Sequence, residues 1–151
     1  MAENNFWSQL KKPFLALAPL ANVTDAAFRR VIAKYGGPDV MWTEFVSADG
    51  LCHPVGRERL LIDLQFSEAE RPIVAQLFTS QPDKMFEAAH LVEKLGFDGL
   101  DINMGCPDQT VEKQGAGAAL IKNPQQAQAV IAAAKAGAPH LPVSVKTRSG
   151  Y

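Results

Sequence analysis

The stretch GLDINMGCPDQTVEKQGAGAAL, residues 99–120, begins with an apolar run and then reaches a Gly-Cys-Pro tripeptide. The run GLDINMG is typical of a β-strand that is buried on both faces. Gly105 allows backbone angles that other residues avoid, and Pro107 fixes the next φ and removes an N–H group. We therefore predict a strand that ends in a sharp corner, with Cys106 presented at its carboxyl end.

Similar strand-like runs recur along the chain at 14–20, 41–47, 72–78 and 142–148, and helical periods separate them. This alternation predicts a parallel sheet with right-handed crossovers. A whole (β/α)8 barrel typically takes about 250 residues, whereas this chain has 151 residues and about five strands. The sequence therefore predicts an α/β fold, either an incomplete (β/α)8 TIM barrel or a small open sheet.

Apolar periods predict which face of each helix is buried. The first helix is expected to start at a Thr24 cap and to leave Arg29 on its outer side. Its predicted inward residues are Phe28, Val31, Ile32 and Tyr35. The inward residues predicted for two later helices are Met85, Ala88, Ala89, Val92, Ala127, Val130, Ile131 and Ala134.

Composition describes a globular protein, 47% hydrophobic and 21% charged, with a net charge of −1. That balance gives no reason by itself to expect a nucleic-acid partner. No apolar run approaches the roughly 20 residues that span a bilayer, and the amino terminus does not have the pattern of a secretion signal. The two cysteines lack the CxxC spacing of zinc sites. We expect a cytoplasmic protein with free thiols, no metal and no membrane association.

Polar side chains lie toward the carboxyl ends of all the predicted strands after the first, where both architectures bind ligands. These residues are Thr43, Glu44, Gln76, Asp101, Asn103, Lys146 and Arg148. Burial of an amide or ammonium without a partner costs several kcal/mol, at about 2–7 for a neutral polar group. Two explanations stay open: one shared polar ligand, or internal pairing of Lys146 with Glu44 or Asp101.

Cys106 has two interpretations, a small buried hydrophobe or a functional thiol at the strand end. His53, His90 and His140 lie in places that suggest no Cys–His pair. A thiol without such activation has a pKa of about 8.5 and is mostly protonated at neutral pH, which favours a proton donor over an attacking thiolate. Cys52, in GLCHP, is expected to be a structural or surface thiol.

Several motifs together resemble the tRNA-dihydrouridine synthase family. APLANVTDAAFR resembles the APMAGVTD-type opening of that family, and TEFVSADGL, VAQLF, GLDINMGCP with QGAGAAL, and VKTRSGY follow in the family's order. The block DINMGCP…GAGAAL is the specific part, since other flavin-binding barrels share the rest more loosely. The resemblance runs from about Phe14 to the end of the chain.

The resemblance implies an FMN-dependent (β/α)8 barrel that reduces tRNA uridines with NADPH as the reductant. Reduced flavin passes a hydride to C6 of the uracil, and the cysteine of the GCP motif, here Cys106, protonates C5 as a general acid. Pro19, Leu20 and Ala21 match the backbone that lies against the isoalloxazine ring. Lys146 matches the ammonium at the polar edge of the flavin.

Gln76 matches an amide that bonds the same polar edge, and Asn103 matches a residue that contacts the target uracil. Arg148 is a weaker candidate for the substrate mouth, and Glu44 is weaker still. Leu20 stands where the family usually has Met, a swap that conserves volume. Asp108 and Gln109 stand where basic residues are frequent in the family, which is expected to weaken nearby RNA contacts.

By the resemblance, strands six to eight and a helical tRNA-binding domain are missing, and we expect a truncated reading frame or a deliberately partial version of a longer chain. We divide the sequence into a lead-in, 1–13, and the amino-terminal part of a catalytic barrel, 14–151. The isolated chain is expected to be inactive, to hold FMN weakly, and to associate through its open sheet edges. The alternatives are a dihydroorotate dehydrogenase-like FMN barrel and an inert half-barrel that serves as an interaction module.

Overall fold

The sheet contains five parallel strands, and their order in the sheet is their order along the chain. A computed structural model describes residues 5–151 and places the strands at Ala16–Leu17 (β1), Val40–Ser47 (β2), Ile73–Phe78 (β3), Gly99–Met104 (β4) and Val143–Thr147 (β5). The strands form a half-barrel, and every crossover carries at least one helix. The predicted incomplete (β/α)8 barrel is confirmed. The lead-in at 1–13 lies partly outside the described residues.

Within residues 5–151, six α-helices and three 3-10 helices lie between and beside the strands. The α-helices are Ala26–Lys34 (α1), Ala48–Cys52 (α2), Pro54–Leu60 (α3), Pro82–Lys94 (α4), Gln109–Glu112 (α5) and Pro124–Gly137 (α6). The 3-10 helices are Phe6–Gln9, Glu68–Glu70 and Gly117–Lys122. The Asn123 side chain caps α6 by accepting a hydrogen bond from Gln126 N at 3.2 Å. Within residues 5–151, no helix has the length and apolarity that a membrane crossing requires.

The hydrophobic core lies between the outer face of the sheet and the helices α4 and α6. All four inward residues predicted for α4 are buried, as are three of the four predicted for α6, and Ile131 is half-buried against the same core. Gly137, the last residue of α6, approaches α4 so closely that a Cβ there would lie 2.3 Å from Phe86 O. Periodicity therefore identified the buried faces of both helices correctly.

Strand β1 is much shorter and more exposed than predicted. The predicted strand 14–20 is reduced to Ala16–Leu17, and the Leu15 side chain is 73% exposed. Among the described residues, β1 pairs only with β2, at Ala16 opposite Val40, and forms one edge of the sheet. The expectation of a strand buried on both faces is wrong here. Ala16 is exposed and Leu17 is half-buried, because at the edge of the sheet side chains of a neighbouring strand flank them on one side only.

The predicted orientation of α1 is wrong for three of its four inward residues. Ile32 alone of the four is half-buried and packs against the core. Phe28, Val31 and Tyr35 are exposed, whereas Arg29 is fully buried. The reason is an ion pair between Arg29 Nε and Glu70 Oε2 at 2.7 Å, which turns the arginine side of the helix inward. The helix is capped by Asp25, whose Oδ1 accepts a hydrogen bond from Phe28 N at 2.7 Å, and not by Thr24.

Aromatic side chains from the segment before β1 pack on the inner face of the half-barrel, which is the face opposite α4 and α6. The ring centroid of Trp7 lies 5.7 Å from that of Trp42 on β2 and 6.0 Å from that of Phe14. A Cβ at Gly99, the first residue of β4, would lie 3.1 Å from the Phe6 ring. These aromatic residues therefore cover the amino-terminal end of the inner face.

Candidate functional site

The strand register brings the polar residues of β3, β4 and β5 together on the inner face. Gln76 lies opposite Asp101, Asp101 lies opposite Ser144, and Asn103 lies opposite Lys146. Because side chains alternate between faces along a strand, residues two apart such as Asp101 and Asn103 share this face. The predicted convergence of Gln76, Asp101, Asn103 and Lys146 therefore corresponds to adjacent positions in the sheet.

A β-bulge on β2 completes the hydrogen bonding of Gln76. The register between β2 and β3 shifts between Trp42 and Phe45, and at this shift the Thr43 hydroxyl accepts a hydrogen bond from Gln76 N at 3.1 Å. The same hydroxyl donates to Glu44 O at 2.8 Å. Thr43 thus serves the backbone at a bulge, a feature that often re-aims side chains beside functional sites, and does not face a ligand.

A chain of side-chain hydrogen bonds links β5 to β4 through Asp101. Its carboxylate accepts from Gln76 Nε2 at 2.6 Å and from Ser144 Oγ at 2.5 Å. Asn103 Nδ2 then donates to Gln76 Oε1 at 3.3 Å. Gln76 and Asp101 are buried, and so is Asn103. The three residues form one continuous network at the centre of the site.

Burial raises the pKa of Asp101 above its ordinary value, because the charged carboxylate loses solvent. The hydrogen bonds from Gln76 and Ser144, and the positive charge of Lys146, act against this shift. Lys146 makes no ion pair within residues 5–151, and its side chain is exposed. Of the two explanations for Lys146, internal pairing with Glu44 or Asp101 is therefore not found, and the ammonium is free to meet a ligand.

The corner at Cys106 is held by the Asn103 side chain. Asn103 Oδ1 accepts hydrogen bonds from Gly105 N at 3.1 Å and from Cys106 N at 2.9 Å, and so turns the chain directly after β4. Cys106 is half-buried and lies outside the hydrophobic core. The predicted sharp turn at the strand end is present, and its cause is a side-chain to backbone turn.

Gly105 packs closely against the end of β5 and has no unusual backbone angle. Its φ does not lie in the positive region that favours glycine. A Cβ on Gly105 would lie 3.2 Å from Arg148 Cγ and 3.4 Å from the backbone carbon of Thr147, so the corner packs tightly on the end of β5. The prediction that Gly105 supplies a special conformation is therefore wrong, because its backbone angle is ordinary.

The GAGAAL segment packs directly on the same corner. Ala118 N donates to Cys106 O at 2.9 Å. Gly117 has a φ of +61°, and a Cβ there would lie 2.6 Å from Cys106 O and 2.8 Å from Val111 Cγ1. The two parts of the stretch 99–120 thus form a single unit, in which the second part fixes the backbone of Cys106.

We expect Gly117→Ala to be among the most damaging single-methyl changes in the chain. It combines a left-handed backbone, which costs about 1–2 kcal/mol for a residue with a Cβ, with a clash of the kind that costs about 1–3 kcal/mol. Gly36→Ala is the matched control, because Gly36 has a φ of +103° but open space around its Cβ position. Urea unfolding should therefore show a larger loss of stability for Gly117→Ala, and equal losses would contradict the packing argument.

The loop between β1 and α1 contains the predicted ring-contacting segment. Leu20 N donates to Thr24 Oγ1 at 3.0 Å, and the same hydroxyl donates back to Leu20 O at 3.2 Å. The Glu44 carboxylate accepts the N–H of Asn22, which has a φ of +57°. Pro19 is buried, whereas Leu20 and Ala21 are exposed. Thr24 and Glu44 therefore hold the shape of this loop.

A cavity of about 330 Å³ lies on the inner face, between this loop and the aromatic residues of the amino terminus. Its lining includes Pro19, Asp101 and Lys146 together with Trp7 and Trp42. Trp42 Nε1 is buried beside the Asp101 carboxylate and helps to hold the pKa of that group down, but within residues 5–151 it has no partner at ordinary hydrogen-bond geometry. The cavity thus has an apolar floor and a weakly engaged buried donor, in keeping with small-molecule sites, which are mostly apolar with a few polar groups.

The remaining predicted residues lie around this cavity or apart from it. Leu20, Ala21, Gln76, Asn103, Cys106 and Arg148 are not part of the cavity lining. Arg148 is exposed just beyond β5, close to the Cys106 corner. Cys52 is half-buried between α2 and α4, where its thiol donates to Lys84 O at 3.5 Å and burial raises its pKa to about 11. That environment agrees with a structural thiol.

Sequence reasoning missed three contributors to the site. Ser144 received no role, although it lies two residues before Lys146 and thus on the same face of β5. The hydrogen-bonding role of Asp101 was missed, although Asp101 itself was expected near a shared ligand or as an ion-pair partner, because its bonds to Gln76 and Ser144 depend on register. The aromatic floor at Trp7 and Trp42 had no sequence signal, because the two residues meet only through the tertiary fold.

Comparisons with known proteins agree with the motif resemblance. The sequence model of the family described as "Dihydrouridine synthase (Dus)" matches residues 16–151. A "Probable tRNA-dihydrouridine synthase" of Staphylococcus aureus (strain COL) is 46% identical over 149 residues, which is 99% of this chain and 45% of that relative. A "Probable tRNA-dihydrouridine synthase 2" of Bacillus subtilis (strain 168) is 48% identical over 147 residues, which is 97% of this chain and 45% of that relative.

The chain spans a little less than half the length of these curated relatives. The matched region includes all five strands, the Cys106 corner and the inner-face network. The resemblance inferred from the motifs is confirmed: the chain belongs to the dihydrouridine synthase family.

Proposed function

We propose that this chain is the amino-terminal part, 14–151, of the catalytic barrel of a tRNA-dihydrouridine synthase, which reduces the C5–C6 bond of tRNA uridines. The observation that carries the proposal is the corner after β4, where Asn103 and Ala118 hold the backbone of Cys106 beside the end of β5. The names of the relatives and the family match support the substrate class. The proposed partner is tRNA and the proposed location is the cytoplasm.

The inner-face cavity is the proposed site for the ring end of FMN. Its apolar floor suits a flat ring, and the Trp42 N–H and the Lys146 ammonium are donors that suit ring carbonyl oxygens and nitrogens. Pro19 and Lys146, which line the cavity, would contact the ring and bond its polar edge. Leu20, Ala21 and Gln76, which do not line it, are proposed for the same ring because of the family resemblance. When bound and reduced by NADPH, FMN supplies the hydride that C6 of the uracil requires.

The chain's own residues would bind the substrate, orient it and move one proton. Cys106 would give its thiol proton to C5 of the uracil, which is general acid catalysis and needs no covalent bond to the base. Asn103 Oδ1 is occupied by the corner, so Asn103 can offer the uracil only an N–H. Lys146 would stabilise negative charge at the ligand edge by a fixed electrostatic contact. Arg148, which is exposed just beyond β5, would meet the substrate at the mouth.

The test joins this chain in frame to the carboxyl-terminal part of the Bacillus subtilis relative, so that the barrel is complete. The joined protein is expected to take up FMN, seen as flavin absorbance, and to form dihydrouridine in unmodified tRNA transcripts when NADPH is supplied. A set of small enones and a free pyrimidine serves as the comparison. Flavin uptake with reduction of the small substrates alone would favour a dihydroorotate dehydrogenase-like enzyme and overturn the proposal.

The isolated chain gives a second readout. We propose that its open edges at β1 and β5 make it associate with itself and that it holds FMN more weakly than the joined protein. Light scattering and flavin titration of both proteins measure this. A stable oligomer that binds no FMN, together with a joined protein that also binds none, would favour the inert half-barrel.

A further inference from the structure

Asp101 holds a central place in the inner-face network, although it contacts neither Cys106 nor its backbone. We propose that Asp101 is a positioning residue that fixes the direction of the Gln76 and Asn103 carboxamides, and thereby holds the Cys106 corner. Its carboxylate can only accept hydrogen bonds when ionised, and it accepts one from Gln76 Nε2 at 2.6 Å. The amide of Gln76 is therefore not free to turn over, because its oxygen would then face a carboxylate oxygen.

The direction imposed at Gln76 passes to Asn103. With Nε2 held by Asp101, the oxygen of Gln76 faces Asn103 and accepts from Asn103 Nδ2 at 3.3 Å. Asn103 must then direct its own oxygen toward the corner, where it accepts from Gly105 N at 3.1 Å and Cys106 N at 2.9 Å. If the Gln76 amide turned over, two N–H groups would face each other, and Asn103 would have to turn its NH₂ toward two backbone donors.

This direction also sets what the site offers to a ligand. Both carboxamide oxygens, of Gln76 and Asn103, are used inside the network, whereas each NH₂ group keeps one hydrogen that the network does not use. Asn103 can therefore donate a hydrogen bond to a ligand but not accept one, because its oxygen already accepts two, whereas Gln76 Oε1 accepts one and keeps a second lone pair. Toward Asn103 the ligand must present an acceptor, such as a carbonyl oxygen of a pyrimidine or an isoalloxazine. This ligand assignment rests on the proposed function, whereas the fixed direction of the two carboxamides does not.

The test is a swap of the charge between two contacting residues in the 151-residue chain. Gln76→Glu alone places a second carboxylate against Asp101, and we expect the amide exchange of Gly105 and Cys106 to quicken by about tenfold or more as their bonds to Asn103 are lost. The double variant Asp101→Asn/Gln76→Glu restores a donor facing a carboxylate and still gives Asn103 an oxygen. It is expected to return both amides to within about twofold of wild type.

Ser144→Ala is the control, because it removes one donor to Asp101 without changing the direction of Gln76. It should leave the exchange of Gly105 and Cys106 unchanged, and the β4 amides of Leu100 and Ile102 report global opening in every variant. If Gln76→Glu does not fold, recovery of folding by the double variant is the expected rescue. A double variant that restores neither folding nor protection overturns the proposal, as does undisturbed protection in Gln76→Glu.

Flavin titration of the same substitutions in the joined protein separates this inference from the proposed function. The double variant keeps the corner but replaces a donor with a carboxylate at position 76, so its FMN affinity is expected to fall by about tenfold or more. Rescued protection in a protein that never binds FMN would support Asp101 as a positioning residue and contradict the proposed function. Normal FMN affinity together with failed rescue would support the proposed function and contradict the positioning role of Asp101.

Discussion

Replacement of Cys106 with alanine is expected to lower the rate of uridine reduction in the joined protein by about 10²–10⁴-fold while FMN binding is retained. The thiol is the proposed proton donor to C5, and alanine has no proton to give. Cys106 does not line the inner-face cavity, so its removal should not disturb the residues proposed to hold the ring. The measurements are dihydrouridine formed per unit time and the flavin dissociation constant.

Cys52→Ala is the matched control for the loss of one thiol. Cys52 is half-buried on the outer side of the sheet, between α2 and α4, and the raised pKa of its thiol keeps it protonated at neutral pH. We expect that variant to retain the wild-type rate of uridine reduction. A Cys106→Ala enzyme that turns over as fast as wild type would show that another group or water supplies the proton, and would remove Cys106 from the mechanism.

Backbone geometry strengthens this expectation. Asn103 fixes the Cys106 N–H and Ala118 fixes its C=O, so both sides of its peptide backbone are tied before any ligand binds. A proton donor gains from this restraint, because the thiol does not have to be ordered during the reaction. The Gly117→Ala variant, which should displace Cys106 O, is therefore expected to slow uridine reduction even where Cys106 is present.

Structural features that depend on residues close together in the sequence were predicted correctly. The strands around Gln76 and Asp101, and the buried faces of α4 and α6, follow from runs and periods within single segments. The order of these segments predicted a parallel sheet with polar residues toward the carboxyl ends of its strands, and the family resemblance then selected the incomplete barrel. The contacts between these polar residues depend on the register of neighbouring strands. The sequence pattern within one strand does not predict that register.

The errors arose where a partner distant in sequence decides the outcome. The apolar stripe of α1 suggested that Phe28 and Val31 face inward, but Glu70, on a 3-10 helix after α3, draws Arg29 into the interior instead. At Gly105 the glycine was attributed to its conformational freedom, whereas its backbone angle is ordinary and the end of β5 packs closely on it. Both cases depend on contacts between segments that are far apart along the chain.

The ion pair that reorients α1 leads to the second large prediction, which concerns stability. Glu70→Gln is expected to lower the free energy of unfolding by about 3–5 kcal/mol, because it leaves the Arg29 guanidinium buried without a counter-charge. Both side chains are fully buried, and Arg29 Nε lies 2.7 Å from Glu70 Oε2. Arg30 also approaches Glu70, at 3.9 Å, but it is itself a cation and cannot replace the counter-charge that Arg29 loses.

The substitution also breaks hydrogen bonds that a glutamine cannot replace in full. Glu70 Oε1 accepts from the backbone N and from the hydroxyl of Ser67, both at 2.8 Å, while Oε2 accepts from Arg29. A glutamine has only one acceptor oxygen, so its NH₂ group must face a donor on one side or the other. An isosteric change therefore leaves a buried polar group unsatisfied as well as a buried charge.

Glu68→Gln is the matched control, since it is the same substitution on the same 3-10 helix. The Glu68 side chain is 82% exposed and pairs with Arg71 at 2.8 Å, and exposed pairs of this kind contribute little to stability. Urea unfolding at neutral pH should show a clear loss for Glu70→Gln and almost none for Glu68→Gln. The double variant Arg29→Met/Glu70→Gln should recover part of the loss, because no buried charge remains.

The same substitution is expected to affect the proposed flavin loop. Arg29 Nη1 donates to Thr24 O at 2.7 Å, and the Thr24 hydroxyl holds Leu20 at both its N–H and its carbonyl. Loss of Glu70 frees Arg29 and so loosens the loop that contains Pro19, Leu20 and Ala21. We therefore expect Glu70→Gln in the joined protein to weaken FMN binding as well as stability, and Glu68→Gln to change neither. Equal flavin affinity in the two variants would show that the loop keeps its shape without the buried ion pair.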